Sequence, residues 1–366
     1  MLESLYTEAI KKKGTITEKI KDYDNHNLDI YKFWNDELIP ELGNDLTIAA
    51  GDGSKQEKKF LSFYFYAISA ESLIYSDKLF KIESSDINTL PHSKFVKDRI
   101  RNYMALFEIK NALKAIKTYD INYYLYDGSL LGDLIRPSPL EKNISQSIRF
   151  DLLDLAEEKI NNDLASIENH PVEVFSKKLI KNELKDKIEG IRKSHGSNYL
   201  ETIESYLENI EKLLTLANLL KFKDKIIAIS KTSTATDYFD ANIPDIAIFD
   251  KYTKYAGYST PPKYISGEKD SLKHEFHVED EFFKSLKFTV FYVRLEENKN
   301  VLKVELPYKG SNSKIKEIIG IISKDSTEGY PYLLKKAHHD VLIKKSDIEQ
   351  LSKIIGIYEK TGREML

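Results

Sequence analysis

Two identical tripeptides, Asp52-Gly53-Ser54 and Asp127-Gly128-Ser129, each follow an apolar run with strand character. The runs are Leu46-Thr47-Ile48-Ala49-Ala50 and Tyr123-Tyr124-Leu125-Tyr126. An Asp that closes a buried strand projects from the sheet edge on a rigid support, and the following Gly turns the backbone without a Cβ clash. Two such strands side by side bring two carboxylates together. Close carboxylates repel and are costly to bury unless a cation stands between them. A hard divalent ion with oxygen ligands meets that need. The alternative is a pair of ordinary hairpin turns, a common role for Asp-Gly.

Three other segments carry groups suited to the same chemistry. Glu108 sits among Leu106, Phe107 and Ile109, in a stretch with helical apolar spacing that precedes the second tripeptide. On the inner face of a helix covering the sheet, it reaches a metal at the strand ends; on the outer face, it is a solvated acid. Glu71, on the sheet side, is its rival. Lys231 ends the apolar run Ile226–Ser230, where a cation holds a phosphate or stands solvated. Gly329-Tyr330-Pro331 opens a segment ending Ala337-His338-His339. Pro331 suits a first helical turn, with Tyr330 at the cap and His338 on the face of Leu334. A histidine so aimed ligates a metal or moves a proton, and a surface position is the competing reading.

The elements that must position these groups follow from the patterning. Residues 1–40 read as helical, with Phe33-Trp34 and Leu38-Ile39 as packing partners. Phe60–Ile68 and Ser72–Tyr75 read as strands, residues 91–118 as a long helix, and Ile226–Lys231 as a strand. Residues 138–220 keep helical periodicity with dense Glu and Lys, as in Ile203, Tyr206, Leu207, Ile210 and Leu214, and read as an inserted helical lobe. Thr232 to Asp280 reads as largely loop. Phe288–Leu295 and Val301–Leu306 form a hairpin, and helices close the chain near Ile315–Ser323, Pro331–His338 and Ser346–Glu359. The expected fold class is α/β, as one large domain with an inserted lobe or as two domains.

Composition bounds the function. The 366 residues have 55 basic and 58 acidic side chains, a net charge of −3, which leaves room for a local basic groove without requiring one. The absence of cysteine excludes disulfides, thiolate nucleophiles and Cys-based zinc sites. His274-Glu275-Phe276-His277 lacks the His-Glu-x-x-His spacing of zinc proteases, and neither common nucleotide-binding glycine loop is present. No run approaches bilayer-spanning length, so a cytoplasmic protein is expected.

Taken in order, Asp52-Gly53-Ser54, Glu108, Asp127-Gly128-Ser129-Leu130, Ser230-Lys231 and Gly329-Tyr330-Pro331…Ala337-His338 resemble the NurA nuclease family. The resemblance spans roughly residues 45 to 345. It implies an RNase H-like core, a mixed sheet flanked by helices, over 45–137 and 221–366, preceded by an N-terminal helical segment (1–44) and interrupted by the inserted 138–220 helical lobe. It implies a manganese-dependent deoxyribonuclease, with magnesium as the second candidate. Such an enzyme cuts single-stranded DNA internally and degrades DNA 5′-to-3′. It further implies a homodimer that works with a HerA-type hexameric ATPase in double-strand break end resection. The metal ligands carried over are Asp52, Glu108, Asp127 and His338, with Tyr330 beside them. In a two-metal phosphodiester hydrolysis Asp52 bridges both ions, Asp127 and Glu108 each complete one, and Lys231 neutralises the phosphate. Two other classes compete: an actin-like Mg-ATP-dependent kinase or ATPase, and a non-catalytic helical adaptor.

Overall fold

The computed structural model describes residues 2–24, 29–37, 46–135, 144–195, 198–266 and 276–359. Among them, ten strands form one mixed, mostly antiparallel sheet in the order β1-β7-β9-β10-β6-β5-β2-β3-β4, with β8 also pairing β9. The strands are β1 (Trp34–Asn35), β2 (Ile48–Lys59), β3 (Phe63–Tyr75), β4 (Leu79–Pro91), β5 (Tyr123–Asp127), β6 (Ile226–Ser230), β7 (Gly257–Ser259), β8 (Lys263–Ser266), β9 (Lys287–Arg294) and β10 (Leu302–Leu306). A separate two-stranded ribbon joins β11 (Ser326–Thr327) to β12 (Tyr330–Pro331). β2, β5 and β6 run parallel to one another, and the other pairs are antiparallel.

Period-two alternation divides the sheet residues between two cores. Ala49, Ile74, Tyr124, Ala228 and Val290 face one side. They meet α2 (Val96–Thr118) and the helices α4 (Gln146–Ala165), α5 (Phe175–Asn182), α6 (Lys185–His195) and α7 (Asn198–Leu220), which follow the short α3 (Leu130–Ile135). Ile48, Ala50, Leu125, Ile227, Phe291 and Val304 face the other side. That face is covered by α10 (Asn312–Lys324) and α11 (Tyr332–Val341), while α12 (Lys345–Ile354) packs by Phe60 and Phe65. Apolar side chains on both faces explain why the central strands read as nearly continuous apolar runs.

Several expectations need correction. Among the described residues the N-terminal segment is helical over α1 (Glu3–Asp24), whose Leu5, Tyr6, Ile10 and Ile16 are exposed, and over a single 3-10 turn at Ile30–Lys32. Trp34 instead lies in β1 and packs with Tyr238 and Phe249; Leu38 and Ile39 fall outside the described residues. The two strands expected around residues 60–75 are one, β3, because buried Glu71 interrupts the apolar run without ending the ladder. β4 has no counterpart among the expected elements: it forms the sheet edge, and its exposed residues mix Lys81, Glu83 and Ser85 with Leu79 and Ile87. The stretch after Thr232 contains α8 (Asp245–Tyr252), β7 and β8, followed by α9 (Asp280–Ser285). The terminal helix stops at Ile354.

Candidate active site at the end of β5

β5 stops at Asp127, while β2 runs on to Lys59 beside β3. Asp52 therefore does not close its strand, contrary to expectation; it lies within a twelve-residue strand at the level where its neighbour ends. Gly51 pairs with Tyr126 in the parallel β2–β5 register, so the next residues, Asp52 and Asp127, stand level and point to the same side of the sheet. The two aspartates stand level on adjacent strands, and only Asp127 is at a strand end.

Each carboxylate has a nitrogen partner. His338 Nδ1 lies 2.6 Å from Asp52 Oδ2, and the Gly53 N–H donates to Asp52 Oδ1 at 2.8 Å. Asp52 is 9% exposed; burial, then the charge of Asp127, pushes its pKa up, and His338 and the Gly53 N–H oppose that shift. Lys231 Nζ donates to Asp127 Oδ2 at 3.1 Å and lies 4.5 Å from the centre of the Tyr330 ring. Burial and the charges of Asp127 and Asp52 keep the Tyr330 hydroxyl strongly protonated. Tyr330 belongs to β12, with Pro331 as the N-cap of α11, so the helix starts one residue later than expected. His338 faces Asp52, whereas the more exposed His339 has Nδ1 3.7 Å from Asp340 Oδ1.

Glu108 approaches from the opposite face of the sheet. α2 buries Ile100, Leu106, Phe107, Ile109 and Leu113. At about 1.5–3 kcal/mol for each such side chain, their burial offsets a penalty of several kcal/mol for enclosing a carboxylate. Buried ion pairs also tie α2 to α7: Arg99 to Glu208 at 2.6 Å and Lys110 to Glu211 at 2.6 Å. The inner-face reading of Glu108 therefore holds, as the residue is 7% exposed. A Cβ built on Gly53 would stand 3.4 Å from Glu108 Oε2, so the acid packs directly against this glycine. Glu108 Oε1 is buried without a hydrogen-bond partner. Burial, followed by the charges of Asp52, Asp133 and Asp127, raises the Glu108 pKa well above its ordinary value; Lys212 opposes them.

Glu108, Asp127, Lys231, Lys212, Arg101 and Asn102 line a cleft of about 460 Å³, a size suited to a nucleotide-scale ligand. Among the described residues no three His, Asp or Glu side chains stand as a finished metal cage. The donor chemistry nevertheless fits a hard divalent cation: three acids share one electrostatic neighbourhood, and one buried oxygen lacks a partner. Glu71 lies opposite Asp52 in the β2–β3 register but is held by Lys81 at 2.8 Å. His277 packs against the Tyr206 ring, and His274 and Glu275 lie outside the described residues.

The sequence reading missed Glu305. This fully buried residue accepts hydrogen bonds from Ser129 Oγ at 2.7 Å, Leu131 N at 3.1 Å and Lys303 Nζ at 2.8 Å. It fixes the turn after Asp127 and the start of α3. The available signal was Lys303-Val304-Glu305, a charge pair at same-face spacing inside an apolar strand.

The NurA domain profile matches residues 46–343. A probable DNA double-strand break repair nuclease NurA from Methanocaldococcus jannaschii is 34% identical over 343 residues, 89% of this chain and 82% of that protein. The DNA double-strand break repair nuclease NurA of Sulfurisphaera tokodaii is 27% identical over 98% of this chain and 97% of its own length. A crystal structure of NurA bound to dAMP and manganese superposes with a TM-score of 0.72 at 19% identity, covering both chains fully. The profile match, the near-full-length relatives and the shared architecture establish that this chain belongs to the NurA family of double-strand break repair nucleases.

Proposed function

We propose that the chain is a divalent-metal-dependent deoxyribonuclease whose active centre is built from Asp52, Glu108, Asp127 and His338. The carrying observation is Glu108, buried with an unpartnered oxygen beside two further acids, the charges of Asp52 and Asp127 reinforcing its raised pKa. The structural relative bound to dAMP and manganese supports this reading and favours manganese, with magnesium as the second candidate. When bound, the cation supplies Lewis acidity to the scissile phosphate and offsets the charge that builds there.

The side chains divide the remaining work. Asp52, beside His338 and level with Asp127, would hold the cation together with Glu108, Asp127 and His338. Lys231 turns from Asp127 to the phosphate of the substrate, a charge-assisted contact. Tyr330 keeps its proton and serves as a donor beside Asp127. The cleft with Arg101, Lys212 and Lys231 receives the DNA backbone.

The order β4-β3-β2-β5-β6, three antiparallel strands followed by two parallel ones, supports an RNase H-like reading of that half of the sheet. On this reading residues 45–137 and 221–366 are the nuclease core and 138–220 an insertion. The substrates are single-stranded DNA, cut internally, and DNA ends degraded 5′-to-3′. The protein works as a cytoplasmic homodimer with a HerA-type hexameric ATPase in end resection. No helix among the described residues is long and apolar enough to cross a membrane. The kinase and adaptor readings gain no supporting observation.

Manganese titration on 5′-labelled and 3′-labelled single-stranded DNA tests the proposal. Asp52→Ala is expected to lose several kcal/mol of transition-state stabilisation, on the order of a thousandfold in rate. Equal cleavage by variant and wild type would refute the assignment.

A further inference from the structure

The helix that presents His338 is held to the sheet by contacts outside the acid cluster. The Ser69 hydroxyl donates to the Val341 carbonyl at 2.6 Å, and the Ile343 N–H donates to Ser54 Oγ at 3.1 Å. Beside them Lys81 Nζ lies 2.8 Å from Glu71 Oε1 and 3.0 Å from Asp340 Oδ2. One ammonium therefore joins β4, β3 and α11. Asp340 stands two residues beyond His338, and Lys336, one turn earlier on α11, holds its carboxylate at 2.7 Å.

Glu71 explains why a cation is needed there. It is 3% exposed, directly opposite Asp52 in the ladder, and its Oε2 has no hydrogen-bond partner. Left unpaired, it would be a further buried charge beside Asp52, free to draw His338 or a metal ion out of register. Lys81 occupies that acid and uses the same charge to secure α11.

We propose that Lys81, Glu71 and Asp340 form a clamp of positioning residues that sets α11, and with it His338, against Asp52. None of the three touches the reacting groups. The structural half of the inference stands on the contacts alone, while its consequence for metal affinity rests on the metal-site reading above.

The sign of the expected effect separates positioning from electrostatics. Removing a cation near a metal site should, by Coulomb attraction alone, tighten metal binding. Loss of a support behind a ligand instead weakens it, by about 10- to 100-fold in comparable cases. The test uses the full chain with Lys81→Met, read by Mn²⁺ calorimetry and by hydrogen exchange of the amides in Tyr332–Val341. The clamp predicts weaker Mn²⁺ binding by about 10-fold or more, faster exchange confined to α11, and recovery of both in Lys81→Arg. Asp340→Asn, at the more exposed end of the clamp, is expected to act in the same direction if Lys81→Met folds poorly. Unchanged or tighter Mn²⁺ binding in Lys81→Met overturns the proposal, as does wild-type exchange over α11. Asp52→Ala is the control: if it binds Mn²⁺ like wild type, the metal-site reading fails, and α11 exchange alone judges the clamp.

Discussion

The two Asp-Gly-Ser segments share three residue types and little else. In the first, the tripeptide lies inside a continuous strand, and Gly53 matters for its missing side chain, since a Cβ there would stand 3.1 Å from Met104 Cγ and 3.4 Å from Glu108 Oε2. In the second, the tripeptide ends a strand, and Gly128 matters for its backbone, held at φ +134° where an L side chain is strained. Ser54 accepts from the Ile343 N–H behind α11. Ser129 instead caps α3 by accepting from the Gly132 N–H at 2.9 Å, and donates to Glu305. Only the aspartates converge, level on adjacent strands, one against His338 and the other against Lys231. One local sequence thus serves two conformations, and the shared constraint is the placement of a carboxylate.

If the aspartates are the common element, removing either should have the largest effect and similar size. Asp52→Asn and Asp127→Asn are each expected to lower single-turnover DNA cleavage on the order of a thousandfold. The double variant should fall little further, because groups that act as a unit are not additive. Cleavage assays on the three proteins at saturating Mn²⁺ check this. A loss confined to one aspartate would leave the other without a part in cleavage.

The glycines should separate where the aspartates agree. Gly128→Ala places a side chain in a strained backbone region, at a cost of about 1–3 kcal/mol in stability, read from denaturant unfolding. Gly53→Ala meets Met104 Cγ at 3.1 Å, within a flexible side chain that can give, so stability should change less. The added methyl group would stand against Glu108 Oε2 at contact distance, and a shift of that acid by about 1 Å would cost on the order of a hundredfold in rate. The expected pattern is therefore a mainly unstable Gly128 variant and a mainly inactive Gly53 variant. The reverse would remove the distinction between conformation and space.

Glu108 couples the two segments, and its pH dependence has a definite sign. Its folded-state pKa lies well above the ordinary 4.5, so the folded protein holds this proton more tightly than the unfolded chain. The associated stability is fully present below the unfolded pKa and is lost as pH rises toward the folded one. Asp52, also raised, adds a contribution of the same sign above its ordinary 3.8. The melting temperature of the metal-free protein should therefore fall as pH rises through this window. Glu108→Gln should flatten the fall and abolish cleavage, a gain in stability at the expense of function. An equally steep decline in Glu108→Gln would show that the acid is not the source.

What the sequence made legible follows from these physical roles. Asp52, Glu108 and Asp127 could be singled out because charged residues beside apolar runs are unusual, and the β9–β10 hairpin because its alternation is strong. Glu71 misled for the same reason: a charge inside β3 resembled a break, although the strand continues and Lys81 neutralises the acid. β4 was invisible because an exposed edge strand carries Lys81, Glu83, Ser85 and Asp86 where a central strand would carry apolar residues. Glu305 required knowledge of which strand would lie beside β6, a nonlocal pairing that periodicity does not encode. The continuation of β2 beyond Asp52 was likewise nonlocal, since residues 53–59 are kept extended by pairing with β3.

The serines offer the finest separation. Ser129→Ala removes an N-cap and the hydroxyl donor to a fully buried Glu305, two losses at one site. N-cap losses cost about 1 kcal/mol, and a hydrogen bond to a charged group about 1.5–3 kcal/mol, so a total near the upper value is expected. Ser54→Ala removes one neutral hydrogen bond to the Ile343 N–H, a contribution of about 0.5–1.5 kcal/mol. Its consequence should be local, because Ser69 and Lys81 still hold the end of α11. Hydrogen exchange at Ile343 should rise while cleavage changes less than in the glycine variants. If Ser54→Ala instead matched Ser129→Ala in stability loss, the first tripeptide would be as strongly braced by its serine as the second, and their difference would reduce to the glycines.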